Sequence, residues 1–424
     1  MSATAADPRV TAARKAPKRR MRLSWSDPTF RALVWQAAIL GIVGGIVWYL
    51  VSNTNRNLAA RHIATGFGFL DRVAGIPIGE SLISYEPSVD TYGRALWIGV
   101  LNTLKVAGIG IVLATLLGTA IGIGRLSGNW LMAKLTGFYV EVMRDIPLLL
   151  QLLFWYTALQ GLPAPRQAWR IADLLDGASF HLFHDTFAGW EFGNGLLLSN
   201  RGSRMPLLNW EPAHTWVLAT FLVGAIGTWL WNRRASRLQE ATGIRPKVWP
   251  VAAGLLVVLP VAVWFGFGAP LSFEIPTLRG FNFQGGATIS PEYFALLLGL
   301  VLYTAGYIAE IVRSGIQAVA QGQWEAAGAL GLRRGAILRH IVLPQALRVV
   351  IPPMTSQYLN LTKNSSLAVA IGYQDVVSIA NTTLNQTGQA VEGIAAIMAV
   401  FLTISLSISL FMNWYNAHIA LVGR

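Results

Sequence analysis

Residues 32–51, ALVWQAAILGIVGGIVWYLV, run without a charge for the thickness of a bilayer core. A helix rising about 1.5 Å per residue needs about 20 apolar residues to cross the hydrocarbon layer. No water inside that layer satisfies backbone N–H and C=O groups, so a spanning segment of this kind must be helical. Comparable runs lie at 96–124, 139–163, 212–232, 248–268, 290–312, 346–371 and 393–417. Three of them are marked: 96–124 carries Lys105, 139–163 has charges crowded at its start, and 346–371 contains Pro352, Pro353 and TKNSS. The expectation is an all-α polytopic membrane protein with about eight transmembrane helices.

Composition agrees. The 424 residues are 54% hydrophobic and 12% charged, against about 25% charged in a soluble domain. The net charge is nevertheless +13. A nucleic-acid-binding protein would gather that charge into a patch on a polar domain, whereas here it is scattered between apolar runs. No nucleic-acid partner is expected. The absence of cysteine excludes disulfides, thiolate metal sites and cysteine nucleophiles. No metal site is expected, since His181, His184 and Asp185 make only a weak loop set.

Lys and Arg in short loops set orientation. Residues 1–31 form a basic tail with Arg9, Arg14, Lys15, Lys18, Arg19, Arg20, Arg22 and Arg31 against Asp7 and Asp27, which places the N-terminus in the cytoplasm. Its first 24 residues read as disordered. Eight spans bring Arg424 back to the same side. The loop 233–247, with Arg233, Arg234, Arg237, Arg245 and Lys247, falls inside with Arg333, Arg334 and Arg339. Segments 269–289 and 372–392 have few basic residues and fall outside. The run at 32–51 exceeds the apolar core of about 7–15 residues in a signal peptide and reads as an uncleaved first anchor. Outer segments 52–94 and 164–211 are too short for a large independent core. No internal repeat is apparent.

The most polar interruption is EAAGALGLRRGAILRHIVLP, residues 325–344. Glu325 to Leu330 read as a short helix with a carboxylate at its start and Gly331 at its stop. A second helix, about Arg333 to Val342, follows with Ile337 and Ile341 on one face, and Pro344 is expected to end it at Leu343. By chemistry alone this is a connector, or a bare helix made for close docking into another protein.

The spacing Glu325-Ala326-Ala327, three residues, Gly331, nine residues, Ile341, one residue, Leu343-Pro344 resembles the EAA loop of ATP-binding-cassette importer permeases, EAA-x3-G-x9-I-x-L-P. YVEVMRDIPLLLQLLFWYTAL (139–159) and PPMTSQYLNLTKNSSLAVAIGYQDV (352–376) are similar to segments of the polar-amino-acid permeases in that family. The similarity implies a five-helix type I ABC importer permease core in two parts, 92–163 and 290–419. The periplasmic segment 164–211 and two additional helices in 212–268 separate them, and the anchor 32–51 precedes them. Eight spans and LLLSNRG (196–202) resemble the Q-type permease subunit of general L-amino-acid transporters. The resemblance further implies ABC ATPase subunits, a second related permease subunit and a periplasmic amino-acid-binding protein as partners, in a bacterial inner membrane. Glu325, Ala326, Ala327, Gly331, Ile341, Leu343 and Pro344 would couple the ATPase to the spans. No G-x-x-x-x-G-K-[ST] phosphate loop occurs, so the chain is no ATPase and binds no cofactor itself. ATP and Mg would be bound by the partner. An ion-coupled secondary amino-acid carrier is the alternative, but it leaves 325–344 unexplained and an inverted repeat is lacking.

Charges inside spans cost about 2.5–3.5 kcal/mol each on insertion scales. Glu141 and Arg144 stand three residues apart, either pairing on one helix or lining the pathway. Glu310 and Arg313 repeat the spacing and read as snorkelling to water, and Lys105 as snorkelling outward. Lys363, Asn364, Ser365 and Ser366 are candidates for the substrate pathway, or for hydrogen bonds between helices. Thr403, Ser405, Ser407 and Ser409 read as helix-packing positions.

Overall fold

The computed structural model describes residue 25 and residues 28–60, 65–170 and 195–419. The basic residues from Arg9 to Arg22, the set His181, His184 and Asp185, and Arg424 lie outside them. The chain divides into two compact units, Met1–Phe67 with Thr387–Glu392, and Gly68–Gln386 with Gly393–Arg424.

In the first unit, α1 (Pro28–Ala60) is apolar on all sides through its span and buries none of it within the chain. That leaves lipid as its solvent. The helix outlasts its apolar run because no breaker intervenes, and Arg56 bonds back to Ser52 Oγ at 3.1 Å. At the other end of this unit the Gly66 N–H donates to Glu392 Oε1 at 2.6 Å, and Gln389 Nε2 donates to the Gly66 carbonyl at 3.0 Å.

The second unit is organised by two long helices, α2 (Tyr92–Gly124) and α7 (Pro291–Gln317). Small residues let their backbones approach. A Cβ at Gly118 would stand 2.8 Å from the Ala305 carbonyl oxygen, and one at Gly122 would stand 2.7 Å from that of Ala309. This is the packing that helices use where lipid is as apolar as the side chains. Thr91 caps α2 and Ser290 caps α7, each accepting from a first-turn N–H.

The expected span at 139–163 is instead a bent pair, α3 (Trp130–Asp145) and α4 (Leu148–Gln160), turning by 103°. Pro147 cannot donate to the helix and its ring would clash with the preceding turn, so the break falls at Ile146-Pro147. Gln151 bridges the break, donating to the Met143 and Ile146 carbonyls at 3.0 Å each. With that pair taken as one span, eight candidate spans result; otherwise there are seven. Leu148 and Leu152 then pack with Val106, Leu296, Leu300, Ala368 and Ile371 in one cluster of the core. Ala107, Ala114, Ile308, Val312, Val350, Met354 and Leu361 form a second cluster.

Between α4 and α7 in sequence lies a helical hairpin, α5 (Pro212–Thr242) and α6 (Trp249–Gly266). The basic stretch 233–247 was expected to be a loop, but Arg233, Arg234 and Arg237 continue α5 until Gly243 closes it in a left-handed cap. Gly224 meets α6 where Gly254–Val258 widens into a π turn; a Cβ there would lie 2.2 Å from the Leu255 carbonyl oxygen. Short strands flank the hairpin. β1 (Trp169–Arg170), β2 (Leu197–Ser199), β3 (Gly202–Met205) and β8 (Ala287–Ile289) form one antiparallel sheet in that order. β4 (Leu207–Leu208) pairs with β5 (Phe273–Glu274), and β6 (Thr277–Arg279) with β7 (Asn282–Gln284). The described parts of 164–211 and 269–289 therefore carry strands the apolar-run reading did not foresee, because each strand is only two to four residues long.

After α7 the chain forms α8 (Gln321–Ala329), α9 (Arg334–Ile337) and α10 (Leu343–Asn364). A 3-10 turn over Ser365–Ile371, α11 (Val376–Thr387) and α12 (Ala390–Ile419) complete the described chain.

Candidate functional site

The site begins where α7 leaves the bundle. Ala320, with ψ 135, breaks the helix, and α8 then starts at Gln321. Glu325 therefore lies in the middle of α8 rather than at its start. Ala327 is 2% exposed and seats α8 on Val319, Ile337, Val342 and Ala346. Of the alanine pair, only Ala326 is open to a partner; Ala327 faces its own core. The outward surface carries Glu325, Ala326, Gly328, Ala329 and Leu330, with Leu330 80% exposed. Gly331 turns the chain at φ +72, a region that costs any residue with a Cβ. The Gly331 and Leu332 N–H groups satisfy the Gly328 and Ala327 carbonyls at 2.9 and 3.3 Å.

The expected stop at Leu343-Pro344 does not occur. Leu343 is helical, and α9 runs through a π turn at Leu338–Val342 into α10. The wider turn gives the Pro344 ring room in the preceding turn and removes the demand for its missing N–H. Ile341 is half-buried and Leu343 exposed. A continuous helical path thus runs from α9 into α10, and α8 packs on its buried Ile337 and Val342. A push on α8 has a rigid element to act upon.

Near the same end of the bundle lies a charged cluster. Arg125, just past α2, pairs with Glu310 of α7, and Arg313 closes on the same carboxylate with Nε–Oε2 of 3.2 Å and Nη2–Oε1 of 2.5 Å. Glu310 and Arg313 pair as their spacing suggests, but Arg125 ties them across helices, which simple snorkelling did not anticipate. Glu141 and Arg144 form no ion pair with each other among the described residues. Arg144 lies over the Tyr307 ring at 5.1 Å, while Glu141 lines a cleft with Arg125 and Arg313.

The segment 363–366 is divided. Lys363 is exposed and Asn364 half-buried at the end of α10. Ser365 and Ser366 donate to the Thr362 and Lys363 carbonyls one turn back at 2.7 Å each, so neither hydroxyl donates to another helix. Thr403 and Ser407 likewise bond back within α12 and are exposed. They are not packing positions inside this chain.

Elsewhere on α2, Lys105 does not snorkel to water. Its Nζ lies 3.1 Å from Glu80 Oε2 and 4.0 Å from the Tyr293 ring centre. Glu80 Oε1 also accepts the Ser290 N–H at 2.5 Å, and Asn102 donates to the Glu80 and Gln374 carbonyls. Gln374 returns two bonds to the 77–80 strap. Beside it, Asp375 is 1% exposed and caps α11 through the Ser378 N–H at 2.8 Å. Burial pushes its carboxyl up to about 7. Lys105 inside an apolar run was the visible signal of this cluster; nothing in sequence singled out Glu80, Asn102 or Asp375.

Comparison with known proteins places this geometry. The profile of the binding-protein-dependent transport system inner membrane component family matches residues 247–420. The putative amino-acid ABC transporter permease protein YhdX of Escherichia coli is 48% identical over 95% of this chain and 97% of its own. The general L-amino acid transport system permease protein AapQ of Rhizobium johnstonii is 46% identical over 95% and 96%. The glutamate/glutamine/aspartate/asparagine transport system permease protein BztB of Rhodobacter capsulatus is 41% identical over 96% and 98%. The chain belongs to the family of amino-acid ABC transporter permeases, multi-pass membrane proteins whose ATPase is a separate subunit. Membership sets aside the ion-coupled carrier.

Proposed function

We propose that the chain is one transmembrane subunit of an ATP-driven importer that moves L-amino acids delivered by a periplasmic binding protein. The observation that carries this is α8. It offers Glu325 and a surface of small residues outward, while Ala327 fixes it to the Ile337–Val342 helix that continues into α10. A partner ATPase, holding ATP and Mg, would grip this surface and swing α10 against α7 as it closes. The spans then alternate between outward and inward access. The basic stretches at 233–247 and 325–344 support a cytoplasmic location for this face, with both termini on the same side of the bacterial inner membrane. Glu141, Arg144, Lys363, Asn364, Ser365 and Ser366 remain the proposed pathway residues, with Lys363 and Arg144 offering positive charge to a substrate carboxylate. The relatives' names support general L-amino acids, with glutamate, glutamine, aspartate and asparagine to be tried first.

Purification of the tagged chain in mild detergent with mass spectrometry of its partners tests the reading. Recovery of an ATPase with a phosphate-binding loop and of a second, related permease supports a heteromeric core. A preparation holding only this chain, together with uptake that survives ATP depletion, would overturn it.

A further inference from the structure

Between the end of α2, the outer face of α3 and the last turns of α7 lies a cleft of about 320 Å³ lined by Arg125, Lys134, Phe138, Glu141, Arg313 and Gln317. Its charges do not cancel. Arg125 and Arg313 share the single carboxylate of Glu310, and Lys134 makes no ion pair among the described residues. With Glu141 set against these three cations, one positive charge remains. The cleft opens beside a surface that is apolar and unpartnered: Trp130 is 75% exposed, Leu131 56%, Leu135 58% and Phe138 65%. A cation excess at the end of a candidate span, next to an exposed apolar stripe, fits an amphiphile with one negative charge in its head.

We propose that this cleft binds the phosphodiester of an anionic membrane phospholipid from the cytoplasmic leaflet. Its phosphate sits between Lys134 and the two arginines, and its acyl chains lie along Leu131, Leu135 and Phe138. Basic pockets between helices on the cytoplasmic side suit such headgroups. The match is one of charge and of depth: a phosphodiester carries one negative charge, and the cleft lies where α2 ends and the turn 125–129 leads into α3. The lipid would join α2, α3 and α7 at the end of the bundle that bears α8. The inference rests on the reading of that end as cytoplasmic.

The test is native mass spectrometry of the purified complex exchanged against phosphatidylglycerol or phosphatidylcholine. The wild type is expected to retain phosphatidylglycerol over phosphatidylcholine. Lys134→Gln should weaken retention about fivefold, the worth of one basic residue near an anionic surface, and Lys134→Glu should weaken it further. Arg245→Gln, which removes a charge elsewhere, should not. Equal retention across all four proteins, or equal losses at positions 134 and 245, would overturn the proposal. So would displacement of the lipid by inorganic phosphate or by a transported amino acid, which would give the cleft to a soluble anion or to cargo. Sidedness is checked separately. The chain has no cysteine of its own, so Asn129→Cys reports with an impermeant maleimide whether this end faces the cytoplasm, whatever the lipid result.

Discussion

Lys105 Nζ stands 3.1 Å from Glu80 Oε2, joining the 77–80 strap to a helix long and apolar enough to span the bilayer. The same carboxylate takes the Ser290 N–H at the start of α7. Glu80 thus neutralises an intramembrane cation and satisfies a helix terminus at once. Glu80→Ala leaves both unpaired and is expected to destabilise the protein by about 1–3 kcal/mol, read as a lower midpoint in thermal unfolding. A double-mutant cycle with Lys105→Met should show non-additive losses. Additive losses would mean that the pair contributes no coupling.

The coupling reading predicts that Glu325→Ala keeps the chain in the membrane while uptake falls roughly tenfold or more, the loss of about 1.4 kcal/mol at a docking surface. Gly331→Pro should be at least as severe, because proline holds φ near −65° where the chain needs +72. Membrane abundance and uptake are measured together. Normal uptake by both variants would remove α8 from the mechanism.

Close approach of α2 and α7 predicts that Gly118→Ala costs about 1–3 kcal/mol by overpacking, because the added methyl meets Ala305 and Ile308. Gly108→Ala on the same helix meets nothing within 4 Å and should be neutral or slightly stabilising through helix propensity. Unfolding midpoints of the two variants should separate in that order.

Asp375 supplies a pH dependence. Its folded carboxyl is raised to about 7 from 3.8 by burial, so between these values the folded state holds a proton the unfolded chain has lost. Stability therefore falls as pH rises from about 4 to about 7 and levels off above, by linkage. Asp375→Asn keeps an oxygen for the Ser378 N–H and removes the titration. The variant should be more stable than wild type at pH 8, with a flatter pH profile.

The strand pairs predict that the α5–α6 hairpin is a separable insertion. Met205 of β3 is in register with Ala287 of β8, so a two-residue Asn-Gly turn joining them should close a β-hairpin. Removing two spans preserves sidedness. The shortened chain is expected to insert and run as a single species in detergent; aggregation would show that the core needs the hairpin.

The sequence by itself determined the number and place of the apolar spans and the stop of α8 at Gly331, because span length and glycine stereochemistry act locally. It also carried the EAA spacing, and with it the family. Tertiary structure decided the rest. Pro344 does not stop a helix, because a π turn accommodates it. Ala327 is turned inward, because Val319 and Val342 cover it. Lys105 and Arg125 find their carboxylates on residues 25 and 185 positions away. Nothing local encodes such pairings: an ion inside a bilayer takes the partner that the packing of other helices brings within reach.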